Sequence, residues 1–192
     1  MKKVFCLLLM LAAVCCAAAC AEEKVPGLGP GDWAFNHAPE TTVLLLREDG
    51  TAEFQGKPYS WEDDGTFLRL TEAETEEELP LRYQITEKKT LLWIPTVYRR
   101  YEQMPGEDLI GAWVGEESGG STFIFTEDSR FLEDGTFTGV FRTDPEAGTF
   151  LLIYPEYFDD TLCYYRMEGN DILTVEYPWI LVETEKDPST TP

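Results

Sequence analysis

The chain has 192 residues, of which 43% are hydrophobic, 13% aromatic and 27% charged, a globular balance with enough apolar mass for a core. Lys and Arg number 15 against 36 Asp and Glu, a formal net charge of −21; a field of that sign repels phosphate backbones, and no polybasic patch exists to grip anionic lipid heads, so no nucleic-acid partner is expected. One histidine and five serines leave few catalytic bases and nucleophiles.

The N-terminus reads as an export signal. Lys2 and Lys3 precede an uncharged apolar run from Val4 to Val14, and Ala17, Ala18 and Ala19 supply the small residues a signal peptidase needs, so residues 1–19 are expected to be a signal peptide. The apolar stretch falls short of the ~20 residues of a spanning helix, and nothing later in the chain approaches that length. Cys6, Cys15, Cys16 and Cys20 all lie in this segment, which removes the usual inference of a disulfide framework. Ala17-Ala18-Ala19-Cys20 resembles a bacterial lipobox. That resemblance implies lipidation at Cys20 and a protein held on the membrane at the cell envelope, outside the cytoplasm; an ordinary secreted protein cut near Ala19 is the other reading. Removal of the leader takes two lysines and no acid, leaving −23. Residues 20–30 read as a tether punctuated by Pro and Gly, and residues 186–192 as a frayed, disordered tail.

Between these ends the sequence repeats. Gly31-Asp32-Trp33 recurs as Gly111-Ala112-Trp113, Gly65-Thr66-Phe67-Leu68 as Gly148-Thr149-Phe150-Leu151, and Tyr83 as Tyr165, at shifts of about 80 residues that drift as loop insertions would make them. One unit is therefore placed at 31–104 and another at 109–185. Both are expected to be all-β. Asp49-Gly50, Asp64-Gly65 and Asp134-Gly135 are hairpin pairs that tolerate positive φ. Around them lie short apolar runs at Val43–Arg47, Phe67–Leu70, Leu81–Ile85, Leu91–Ile94, Thr122–Thr126, Thr149–Tyr154, Leu162–Met167 and Leu173–Tyr177. Glu72 to Leu79, the nearest thing to a helix, carries too few apolar positions to pack.

Alternation assigns the faces. Leu81, Tyr83 and Ile85 match Cys163, Tyr165 and Met167 at spacing two, which sends all six inward; Cys163 thus stands where a core leucine would. Leu91 and Trp93 match Leu173 and Val175 as core. Their alternates, Leu92 and Ile94 against Thr174 and Glu176, leave an apolar outer face on the first unit only, expected to contact the second.

The Gly-x-Trp opening, the DG-turned strands and a closing Tyr-Arg resemble the small lipocalin-like domains of bacterial lipoproteins. The resemblance implies two tandem small antiparallel β-barrels, each with its motif tryptophan across the closed end near an arginine of the last strand. Trp33 and Trp113 match the tryptophan; Arg99 or Arg100 matches the arginine of the first unit, and the second has none at Pro178–Leu181. An eight-stranded barrel either fills with side chains or holds one small ligand, and about 75 residues per unit favours filling.

Candidate sites are few. Glu72, Glu74, Glu76, Glu77 and Glu78 lack the Asp, Asn and Gly of a Ca²⁺ loop. His37 alone cannot build a zinc site from His and Cys. Ser118 and Ser121 form no Gly-x-Ser-x-Gly. No metal, cofactor or catalytic activity is expected. Tyr154, Tyr157 and Phe158, mixed with acids at a barrel rim, are expected to contact a small apolar or glycan ligand. The alternative is a structural or interaction lipoprotein whose filled barrels present an acidic surface to an envelope protein partner.

Overall fold

The structure is a computed structural model and describes residues 27–116, 120–155 and 158–184. The leader, Cys20 and the C-terminal tail lie outside the described residues. Fourteen strands follow in order: β1 (Gly31–Phe35), β2 (Thr42–Leu46), β3 (Thr51–Phe54), β4 (Lys57–Asp63), β5 (Phe67–Glu72), β6 (Glu78–Ile85), β7 (Thr90–Arg100), β8 (Gly111–Gly115), β9 (Thr122–Phe125), β10 (Arg130–Glu133), β11 (Phe137–Asp144), β12 (Thr149–Ile153), β13 (Thr161–Glu168) and β14 (Ile172–Glu183). No helix interrupts them among the described residues. All eight apolar runs fall on strands. The strands not foreseen are short or have one polar face, such as Thr51–Phe54, in which only Ala52 and Phe54 are buried.

Turn chemistry sets the connections. Gly50 and Gly65 take φ of 81° and 86°, and Asp134 and Gly135 take 51° and 64°, the paired positive φ of a tight hairpin. Asp49 and Asp64 brace their turns by accepting backbone N–H bonds, from Thr51 at 3.0 Å and from Phe67 at 2.7 Å.

Every strand pairs antiparallel with its sequence neighbour, and β1 pairs with β14, so one fourteen-stranded sheet closes into a ring. A further pairing crosses it. β7 and β14, the two longest strands, lie antiparallel from Thr90↔Leu181 to Arg99↔Ile172. Two separate clusters of buried side chains fill the interior. The first comes from β1–β7 and the end of β14, with Leu44, Leu68, Leu70, Leu81 and Leu92 all at 0% exposure. The second comes from the end of β7 through β14, with Trp113, Phe123, Phe125, Phe131 and Phe150 at its centre. Phe125 meets Phe141 edge-on at 4.9 Å and Phe150 at 5.5 Å, geometries aromatic quadrupoles favour.

Leu81 and Cys163 are fully buried, and Tyr83, Ile85, Tyr165 and Met167 pack on the same two clusters, as the alternation requires. The next strand departs from expectation. Leu92, not Leu91, enters the first core; Ile94 packs against it, and Leu91 is only half-buried. Register explains the error. Ile85 sits opposite Thr90, whereas Met167 sits opposite Leu173, so the second turn contains one residue more. A one-residue slip inverts every side chain beyond it. Leu173 and Val175 are core, but their counterparts are Thr90 and Leu92. Trp93 is buried outside both clusters, its indole donating to the Leu162 carbonyl at 3.0 Å. Side-chain contact between the halves is thus made by Trp93, on Leu162 and Tyr164, and by Arg82, on Tyr164 and Glu176, and not by the face of Leu92 and Ile94.

The arginine also serves the other tryptophan. Arg100 stacks on Trp113 at 4.1 Å and not on Trp33, while Arg99 is exposed and paired with Glu116 at 2.5 Å. Arg100 further donates to the carbonyls of Ile110, Asp108 and Asn170. Gly111, at φ 119°, is required there, because a Cβ would stand 2.7 Å from the Arg100 guanidinium. The residue opposite Trp113 is Arg100, whereas the residue opposite Trp33 is Glu183. Trp33 Nε1 is accordingly buried without a partner, whereas Trp113 Nε1 donates to the Leu109 carbonyl at 2.9 Å.

Candidate functional site

Both cores are packed, so space for a ligand lies outside them. An opening of about 870 Å³ sits where the end of the second core meets the β7–β14 crossing. One wall is aromatic: Phe158 packs edge-on against Phe137 at 5.3 Å and against Tyr154 at 5.4 Å. Trp93, Tyr177 and Trp179 line the opening as well, the last two 5.9 Å apart. Gln84, Lys89 and Leu91, on and beside the β6–β7 turn, contribute from the first half. Of the eight exposed large hydrophobic residues among those described, four, Phe137, Phe158, Leu162 and Trp179, line this single cleft. Such concentration marks a contact surface, since scattered apolar exposure is ordinary.

Polar groups share the lining with these rings. Glu133, the last residue of β10, is half-buried and accepts a hydrogen bond from the Tyr154 hydroxyl at 2.6 Å. Burial pushes its carboxyl above the usual carboxylate range, and the Tyr154 bond offsets part of that rise. Burial likewise raises the phenols of Tyr154 and Tyr177, and that of Tyr98 up to about 12. Tyr98 shares a hydrogen bond with Ser121 on the cleft wall. Asp134, Asp159 and Asp160 stand at the rim, where Lys89 lies 3.8 Å from Asp159. The cleft is therefore an aromatic slot with an excess of carboxylates, suited to holding a small molecule by stacking and hydrogen bonds.

The expected ligand residues divide. Tyr154 and Phe158 both line the cleft, but they do different things. Tyr154 is 9% exposed and spends its hydroxyl on Glu133, whereas Phe158 is 53% exposed. Tyr157 lies outside the described residues. Sequence reading missed Glu133, which looks like the approach to the Asp134-Gly135 turn, and it missed Tyr98, Tyr177 and Trp179. A signal was available: Pro95 and Pro178 stand inside two long apolar runs, an abnormal place for proline in a flanked strand.

The remaining candidates are elsewhere. Glu72 ends β5 and Glu78 opens β6, with a turn between them; Glu72 pairs with Lys57 at 3.6 Å and Glu78 with Arg69 at 2.6 Å. His37 is exposed in the β1–β2 turn and stacks on Phe35 at 5.6 Å. Ser118 lies outside the described residues. Among the described residues no three His, Cys, Asp or Glu side chains gather as metal ligands would. Cys163 is fully buried, and burial raises its thiol well above the usual value. Comparison with protein-family models, with curated proteins and with solved structures finds no match.

Proposed function

We propose that this chain is an exported, lipid-anchored envelope protein, built from two fused lipocalin-like halves, that binds a small ligand without catalysis. The cleft at the β7–β14 crossing is the observation that carries the binding reading: about 870 Å³ with exposed rings in its lining and a half-buried, desolvated carboxylate among them. The lipobox-like Ala17–Cys20 supports the anchor. The repeat, the two cores and the equivalent burial of Leu81 and Cys163 support a duplication of lipocalin-like units. Because the interiors are filled, the ligand belongs in the cleft and not inside a barrel.

Saturation-transfer NMR on the full chain, purified from membranes in a neutral polyoxyethylene detergent with empty micelles as blank, tests the binding reading. Indole and cellobiose serve as the apolar and glycan probes. At least one should give a saturable signal that Phe158→Ala and Trp179→Ala abolish while the melting temperature moves by no more than about 4 °C, as half-exposed rings imply. Absence of any signal dependent on these two rings would overturn it. Mass spectrometry of the N-terminal peptide tests the anchor: an acylated Cys20 at the terminus is expected, and an unmodified terminus refutes it. A second reading, an interaction lipoprotein, draws on the filled cores and the charge of −23; a protein partner that needs the acidic face and ignores the cleft would favour it.

A further inference from the structure

We infer that the cleft selects a small organic cation, an ammonium group carried on an aromatic or apolar body. The inference rests on the binding reading above and narrows its ligand class. Three features of the cleft agree. First, among the described residues its lining holds Glu133, Asp134, Asp159 and Asp160 against a single cation, Lys89, which is itself beside Asp159 at 3.8 Å. A carboxylate or phosphate ligand would enter against that field, and the surface charge of the whole chain adds to the opposition.

Second, among the described residues the rings of Phe158 and Tyr177 have no cation over them, while Trp179 is packed by Phe35 at 5.2 Å and by the His37 imidazole at 5.1 Å. Elsewhere in this protein guanidinium groups seek such faces: Arg82 lies between Phe67 at 4.7 Å and Tyr164 at 3.9 Å, and Arg100 covers Trp113. Among the described residues no Lys or Arg covers Trp179, Phe158 or Tyr177. An incoming ammonium would find there the quadrupole attraction the arginines find inside, strengthened where water is excluded.

Third, Glu133 is half-buried in the cleft lining, and among the described residues only one of its oxygens is bonded, to the Tyr154 hydroxyl. Burial makes its charge costly, and a cation beside it would offset that cost. Phe158 and Trp179 would stack the ligand's body while Glu133 accepts from its ammonium.

Three probes with one ring and different charges test this: tryptamine, 3-ethylindole and indole-3-propionate, titrated by calorimetry into the full chain in the same detergent. Tryptamine should bind at least tenfold tighter than 3-ethylindole, and indole-3-propionate should not bind. Glu133→Gln, which can still accept from Tyr154, should remove most of the tryptamine advantage and leave 3-ethylindole unchanged. Glu53→Gln, on exposed β3, should change neither. If Glu133→Gln fails to fold, the double variant Asp134→Asn with Asp160→Asn should lower tryptamine affinity several-fold; Asn-Gly is itself a favoured hairpin pair, so that turn persists. Equal affinity for tryptamine and 3-ethylindole overturns the inference and leaves cleft binding intact. So does a preference that survives these variants, or one that Glu53→Gln weakens as much as Glu133→Gln does, because the charge responsible then lies outside the cleft. Failure of all three probes, with no effect of Phe158→Ala on indole, removes the binding reading together with it.

Discussion

Leu91 and Leu92 are adjacent leucines on β7, and truncating each to alanine measures which face of that strand is core. Leu92 has no exposure and packs in the first cluster opposite Tyr83, whereas Leu91 is half-buried on the cleft wall. Truncation removes three carbons. At about 0.8 kcal/mol per buried carbon, Leu92→Ala forfeits roughly 2.4 kcal/mol of transfer free energy. The rigid surroundings of Leu44, Leu68 and Leu81 leave a cavity that takes the total to about 3–5 kcal/mol. Leu91→Ala loses about half the transfer contribution and opens no enclosed void, so about 1 kcal/mol. For a chain of this length each kcal/mol lowers the melting temperature by roughly 2–4 °C. Circular dichroism at 218 nm during a thermal ramp, paired with a urea titration, should place Leu92→Ala roughly 6–20 °C below wild type and Leu91→Ala within about 4 °C. A Leu91→Ala loss equal to or larger than that of Leu92→Ala would refute the register, and with it the assignment of Trp93 to the seam.

Three further outcomes follow from the same geometry. Cys163 is buried and its thiol is pushed well up, so iodoacetamide should label it only in denaturant; labelling in buffer, read from its tryptic peptide, contradicts its place in the core. Burial raises the Glu133 carboxyl in the folded chain, so the folded state keeps a proton that the unfolded state releases, and stability declines as pH rises from the ordinary carboxylate range through the raised value. The melting temperature of Glu133→Gln relative to wild type should therefore climb from pH 4 to pH 7, and a constant difference would show that Glu133 is not desolvated. Finally, β7 and β14 each supply both cores, so Leu68→Ala and Phe150→Ala should shift one shared calorimetric transition; two transitions, each moved by one variant, would show the halves to be independent.

Much of the strand content was open to inspection because alternation and turn chemistry are local. Leu81-Arg82-Tyr83 and Cys163-Tyr164-Tyr165 announce their inward faces at spacing two, and Asp134-Gly135 announces its turn. What stayed hidden depends on counting across loops or on distant partners. One extra residue between Met167 and Leu173 was enough to reverse the assignment of Leu91 and Leu92. Nothing near Arg100 in sequence says that it will cross to Trp113; that follows from the pairing of β7 with β8, which places the two opposite each other. Glu133 carries no local mark either. It is distinguished only by Tyr154, 21 positions on, and by burial that the closed sheet imposes.

The location of the cleft follows from the crossing itself. β7 pairs with β6 only through residues 90–92 and with β8 only through 98–100, so residues 93–97 have β14 as their sole strand partner. On β14, residues 177–179 likewise lie between the β13 and β1 pairings and are matched by β7 alone, while the Ile180 carbonyl already accepts from Asn36 N–H. Along these spans the ribbon has unflanked edges. Pro95 and Pro178 both fall there, where the missing N–H interrupts no neighbouring ladder. Unflanked edges would ordinarily invite pairing with another chain, and two prolines with the bulky Trp93 and Trp179 oppose that. The same features hold the flanking strands apart: Trp93, Thr96, Tyr177, Pro178 and Trp179 all line the opening. A ring pinched by two long strands must leave a gap where its neighbours change, and here that gap is lined by rings and a carboxylate instead of being packed shut.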